Sequence, residues 1–323
     1  MKYLCALILL PFAPAFAQFK STATLVIAPT IVTDSKGQYV DGLQPSDLVL
    51  YDNGVAQPIQ VDEAYSPISL VVAIQTSSSA AAVLDKLGAS GILFSDLLAG
   101  ARGETAIVTF SDEVRVARDF TANSDQLKAT LGSLHIQGDK AVTLEAVAES
   151  LRMLGARKRD RRRILLVVAE KRDRSSKTKL SEVLRVAERQ NVLVYWLDFS
   201  TFVEPFTAGP KTLKSKDPER NGEALPPDMA PGNLLNIFTE LHQRGKPDAA
   251  QQLTKATGGR AASFVTKDAL EQAIQAIADE VHRQYIVSFP QHAKRPGEFH
   301  TIRVAVKDRP DLTARTRAGY WSL

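Results

Sequence analysis

The chain has 323 residues, 44% of them hydrophobic and 24% charged, with 40 Lys and Arg against 36 Asp and Glu. That composition excludes collagen-like, coiled-coil and wholly disordered classes, and the length suffices for two domains or for one large domain with an insertion. A formal net charge of +4 is too small an excess to argue for nucleic acid unless the cations cluster.

In chain order, Lys2 supplies a positive start, Tyr3 to Phe12 an apolar run, and Ala15-Phe16-Ala17 a small-x-small cleavage site. Residues 1–17 therefore read as a secretory signal peptide, with Gln18 opening the mature chain and export as the expected localisation. The run is short and interrupted by Pro11 and Pro14, unlike a retained membrane span of about 20 apolar residues. The single cysteine, Cys5, lies inside it, so the mature chain has no disulfide and no Cys-based metal or redox chemistry.

Residues 18–66 combine a β-branched stretch (21–33) with Leu48-Val49-Leu50-Tyr51, the turn residues Asp52-Asn53-Gly54, and Val55 to Val61. This pattern predicts an all-β module containing a tight hairpin. From residue 67 the pattern changes, because Ile68 to Ile74 is apolar without alternation, as a strand buried on both faces would be. Strands at Ala106 to Phe110, Ile164 to Val168 and Val192 to Leu197 follow. They alternate with helical spacings over Leu144 to Leu154, Leu180 to Ala187 and Leu270 to Val281. Residues 67–284 thus read as an α/β domain with a mostly parallel sheet covered on both faces. Between about 200 and 247 prolines recur in a polar stretch, which predicts a surface insertion. Residues 285–323 return to strand patterns. Neither β segment has enough strands to bury a core alone, so the two are expected to pair into one small β unit that brackets the α/β domain.

No H-E-x-x-H, G-x-S-x-G, Walker loop or strand-linked G-x-G-x-x-G occurs, and the five histidines lie far apart. Thr257-Gly258-Gly259-Arg260 reads as a helix C-terminus followed by a short strand rather than as a phosphate loop. The densest charge is Arg157-Lys158-Arg159-Asp160-Arg161-Arg162-Arg163. It is expected to be a solvated loop near a helix C-terminus, where charge reversal at Arg161 and Arg162 would do little, with a polyanion-binding patch as the alternative.

The loop after the first buried strand, Gln75-Thr76-Ser77-Ser78-Ser79, lies where open α/β sheets bind ligands. The run Ser69 to Ser79 resembles the opening of a von Willebrand factor type A (VWA) domain, whose metal-ion-dependent adhesion site begins Asp-x-Ser-x-Ser. More of the chain is similar to the secreted VWA-related proteins abundant in acidobacteria. The segments concerned are Val32-Thr33-Asp34-Ser35-Lys36-Gly37, Asp47 to Gly54, Thr257 to Ala261, Gln284-Tyr285 and Arg317-Ala318-Gly319-Tyr320. The resemblance implies a Rossmann-like VWA domain and places a ligand face on three loops. Ser77 and Ser79 match the family's serine ligands, but Gln75 stands for the leading aspartate and Ala141 for the threonine, with Thr143 two places late. Glu170, followed by Lys171, Arg172 and Asp173, stands at the family's second acidic position.

Divalent cations of the Mg²⁺ type want hard oxygen ligands and usually one or two carboxylates. Gln75 brings no charge, Ala141 no ligand, and Lys140, Lys171 and Arg172 oppose a cation, although Asp139 could compensate if its loop bends inward. The expectation is a degenerate adhesion site with no metal and no cofactor. Its ligand-binding groups would be Gln75, Ser77, Ser79, Asp139, Glu170, Lys171 and Arg172, and its partner a protein or cell-surface ligand. A hydrolase using Ser77, Ser78 or Ser79 is a weaker alternative, since no histidine is linked in sequence to that loop.

Overall fold

The computed structural model describes residues 25–63, 66–87, 94, 98–158, 160–171, 173, 175–199, 248–291 and 295–322. The segment expected to be a signal peptide, the Pro-rich stretch expected to be an insertion, and Arg172 lie outside the described residues.

The described residues open with four strands, β1 (Leu25–Thr33), β2 (Leu48–Asp52), β3 (Val55–Gln57) and β4 (Gln60–Glu63). The α/β part follows as β5 (Ile68–Gln75), α1 (Ala81–Leu87), β6 (Glu104–Phe110), β7 (Val114–Thr121), α2 (Ser124–Gly132) and α3 (Thr143–Gly155). It continues through β8 (Arg162–Ala169), α4 (Leu180–Arg189), β9 (Val192–Asp198), α5 (Ala249–Thr257), β10 (Ala261–Ser263) and α6 (Lys267–His282). Four strands close the chain: β11 (Tyr285–Pro290), β12 (Phe299–Val306), β13 (Thr313–Arg315) and β14 (Gly319–Trp321).

The central six-stranded sheet runs β10-β9-β8-β5-β6-β7, parallel throughout except for the antiparallel edge strand β7. Every residue of β5 and of β9 is buried, the physical counterpart of their unbroken apolar runs. Alternate residues serve opposite faces. Leu70, Val72, Ile74, Leu166, Tyr195 and Leu197 pack with α1, α2 and α6, whereas Val71, Ala73, Val167, Val194 and Trp196 pack with α3, α4 and α5. This is the two-sided cover expected of repeated βα units, and with this strand order it makes a Rossmann-like α/β domain.

Two elements between Phe110 and Leu144 escape sequence reading. β7 lies at the sheet edge with Arg115, Val116, Ala117 and Asp119 exposed, so it lacks a clean alternation. α2 buries only Leu127, Thr130 and Leu131 and starts because Asn123 caps the Gln126 N–H.

The chain ends form two four-stranded sheets, β13-β1-β11-β4 and β14-β12-β2-β3. Each mixes the two termini: β1 pairs with β11, placing Val26 opposite Phe289, and β2 with β12, placing Leu50 opposite Val304. Their shared core includes Val26, Ala28, Leu50, Val287, Phe289 and Val304, so neither segment has a core without the other. The β2–β3 turn holds Asn53 at φ 48° and Gly54 at φ 81°, the double positive φ of a type I′ hairpin.

Candidate functional site

β5, β6, β8 and β9 run parallel, so their C-terminal ends, Gln75, Phe110, Ala169 and Asp198, meet at one edge of the sheet. Three chain segments are laced there by backbone bonds. Thr76 N donates to Phe110 O at 2.8 Å, Gln137 N to Thr76 O at 2.8 Å, and Ser78 N to Gly138 O at 2.9 Å. Ser77 also bridges Gly138 in parallel fashion. Residues 78–80 then make a single 3-10 turn that leads into α1.

Gln75 sits at the centre, 1% exposed. Its Nε2 lies 2.7 Å from Ser77 Oγ, 3.1 Å from Ser79 Oγ and 3.3 Å from Glu170 Oε2. Its Oε1 accepts the Glu170 backbone N–H at 3.0 Å. The two serine hydroxyls are 3.0 Å apart, and Ser79 Oγ donates to Glu170 Oε2 at 3.4 Å. One amide therefore ties the end of β5 to the end of β8, and Gln75, Ser77, Ser79 and Glu170 form a single cluster.

Lys171 stands beside it. Its backbone N–H donates to Asp198 Oδ1 at 3.2 Å, and its Nζ is 3.8 Å from Asp198 Oδ2, which also accepts from Ser263 Oγ at 3.0 Å. Asp139 is exposed and, among the described residues, makes none of the cluster's hydrogen bonds. Asp112 instead braces that loop: Oδ1 accepts the Lys140 N–H at 3.1 Å, and Oδ2 lies where a Cβ on residue 138 would meet it at 2.4 Å. Ala141 packs against the apolar cluster of α3, and the Thr143 hydroxyl donates to Ala141 O at 3.5 Å rather than to the cluster. Asp112 and Asp198 were missed from sequence. The signal that could have found them is position, since each lies at or just past the C-terminal end of a buried strand.

A divalent cation does not fit this donor set. The Gln75 N–H groups point at the oxygens that would have to be ligands, and among the described residues no three His, Cys, Asp or Glu side chains gather. Turning the amide over would set Nε2 against the Glu170 N–H, leaving buried donors unpaired at about 1–3 kcal/mol.

Four arginines of the basic run, Arg157, Arg161, Arg162 and Arg163, are engaged within the fold rather than solvated. Arg157 grips Glu104 with two bonds of 2.7 Å. Arg161 donates to Ser69 Oγ and Ile68 O, each at 2.7 Å. Arg162 donates to Val281 O and Gln284 Oε1, and Arg163 to Gln190 O and Arg157 O. Burial pushes the Arg162 guanidinium down to about 10. These arginines satisfy carbonyls and a carboxylate at the end of the sheet opposite Gln75, and only Lys158 and Asp160 of the described run are exposed.

No family model matches the chain, and no curated protein does. Solved structures similar to it include a von Willebrand factor type A protein from Catenulispora acidiphila, at 11% identity and TM-score 0.48, covering 94% of this chain and 76% of that one. The conserved hypothetical protein BatB from Bacteroides thetaiotaomicron is similar at 13% identity and TM-score 0.42, over 66% of this chain and 98% of that one. The SpRpn10 VWA domain is similar at 9% identity and TM-score 0.39, over 64% and 93%. Among the described residues no helix is long and apolar enough to cross a membrane.

Proposed function

We propose that the chain is an exported, non-enzymatic binding protein that captures a protein or cell-surface ligand through the loop face around Gln75, a degenerate adhesion site. The observation that carries this reading is the convergence of residues 75–79, 137–140 and 170–171 at one sheet edge, braced by backbone bonds and by the Gln75 amide. A prebraced polar rim loses little freedom on binding, which is how such a face gains affinity without a deep cavity. Ser78, Ser79, Asp139 and Lys140 are exposed on it, so hydroxyls and charges of both signs are available to a partner. A hydrolase draws no support, because among the described residues no histidine is bonded to Ser77 or Ser79. The polyanion alternative draws none from Arg157, Arg161, Arg162 or Arg163, whose guanidinium groups are already engaged.

Capture from the native envelope by the purified mature protein tests the reading. Charge reversal by Lys171→Glu should weaken capture about tenfold, on the order of 1.4 kcal/mol. The same reversal at Lys158, exposed at the far end of the sheet, should leave it unchanged. Greater sensitivity at Lys158 would put the binding face at the wrong end.

A further inference from the structure

We infer that the Gln75 side chain is an uncharged stand-in for a cation, whose amide nitrogen draws the oxygens of Ser77, Ser79 and Glu170 together so that this end of the sheet is cross-linked without any ion. The orientation of the amide follows from its surroundings. The Glu170 backbone N–H is a donor only, so the atom facing it at 3.0 Å must be Oε1. Nε2 must then face the hydroxyls and the carboxylate, at 2.7, 3.1 and 3.3 Å. Two N–H groups thus serve three acceptors, one of them charged, and the longest of the three contacts goes to Glu170.

Burial leaves the amide no water to fall back on, since Gln75 is 1% exposed and Ser77 is 1% exposed. A cation at this place would need the same three oxygens, and it would also need Oε1 turned towards it and away from the Glu170 N–H. The amide and the ion therefore exclude each other. The residues that depart from the VWA pattern also agree in charge: one carboxylate remains, and an amide that carries only partial positive charge at its nitrogen meets it. Ala141 has joined the apolar core instead of offering an oxygen. The geometry of the three loops consequently does not follow the concentration of divalent cations. This inference stands apart from whether the rim captures a partner, and its test reads the cluster directly.

The test uses the whole mature protein and Mn²⁺ or Mg²⁺ alone as probe. In the unsubstituted protein, Tm and amide-exchange protection at residues 76–80 and 137–140 should be the same in EDTA and in millimolar Mn²⁺. Gln75→Leu, which keeps bulk but removes every donor and acceptor, should speed exchange there about tenfold, the worth of one net hydrogen bond, with no recovery on adding Mn²⁺. Gln75→Asp removes the amide and supplies a second carboxylate, so it should lose protection in EDTA and regain it in Mn²⁺. Saturable micromolar Mn²⁺ binding by the unsubstituted protein would overturn the inference without reference to any variant. So would wild-type protection in Gln75→Leu, or a loss in Gln75→Asp that Mn²⁺ does not repair.

Discussion

Arg157 and Glu104 face each other through two parallel hydrogen bonds of 2.7 Å, and the pair closes the end of the sheet farthest from Gln75. Glu104 also lies 3.1 Å from Arg161 Nε and accepts the Ser69 hydroxyl at 2.6 Å. One carboxylate on β6 thus anchors two arginines of the segment that leads into β8, and a run that reads as surface charge is turned inward.

Removing that carboxylate's charge should be costly. Glu104 is 16% exposed and Arg161 16%, so Glu104→Gln leaves two guanidinium groups partly desolvated without a counter-charge. The expected loss is about 2 kcal/mol, below the value for a fully buried pair because solvent still reaches Arg157. A denaturant midpoint measured at unchanged m reads it, with Lys158→Gln within about 0.5 kcal/mol of the parent as control. Equal midpoints for Glu104→Gln and the parent would return the run to the status of a solvated loop.

The chain terminus is tied into the α/β domain by buried charge. Arg315 pairs with Glu280 of α6 at 2.6 Å, and Glu280 accepts the Tyr195 hydroxyl of β9 at 2.8 Å. Arg317 donates to Glu188 O at 2.6 Å and to Asn191, and Trp321 Nε1 to Glu188 Oε2 at 2.6 Å. Burial pushes the Arg317 guanidinium down to about 10. Deleting residues 312–323 leaves Glu280 buried without its Arg315 partner and removes β13 from β1. Amide protection should fall in β1 and β2 as well as in α6, together with a lower unfolding midpoint for the whole chain. Native protection throughout 25–63 in the truncated chain would mean that the β unit stands independently of its last two strands.

Glu145, in the first turn of α3, gives a pH dependence. Partial burial pushes its carboxyl up, but the Ser176 hydroxyl and the N–H groups of Thr178 and Lys177 together outweigh this, and the net shift is downward. A carboxyl depressed in the folded state contributes stability that is complete above the ordinary glutamate value of about 4.3 and is lost as pH falls through the lower folded value. Exchange at Lys177 and Thr178, beyond the intrinsic trend, should therefore be independent of pH near neutrality and accelerate as pH falls below the ordinary glutamate value of about 4.3. Glu145→Gln should abolish the acid acceleration. An unaltered acid profile in that variant would assign the effect to another group.

Much of the scaffold was legible because burial leaves a period in the sequence. Ile68 to Ile74 carries no alternation since both faces of β5 are covered, and Leu270, Ile274, Ile277 and Val281 line the buried side of α6. Asn53 and Gly54 announced the hairpin by their tolerance of positive φ. The loop face was legible in part, because strand ends in an α/β sheet gather on one edge whatever residues they carry.

What periodicity cannot report is which polar group meets which, and that was decided by contacts across the fold. Gln75 and Glu170 are joined only when β5 and β8 lie side by side, and until the Glu170 N–H arrives nothing fixes the direction of the amide. Gly258 and Gly259 read as a helix ending, and Gly258 is the left-handed cap at φ 85°. The fold adds a second constraint, since a Cβ would meet Arg317 N at 2.7 Å in one case and Val194 O at 1.9 Å in the other. Arg157, Arg161, Arg162 and Arg163 looked solvated because their acceptors, Glu104, Ser69, Gln284 and Gln190, come from distant parts of the chain. A local pattern records how much of a side chain is buried, whereas hydrogen-bond direction and charge pairing depend on the partner that folding brings within about 3 Å.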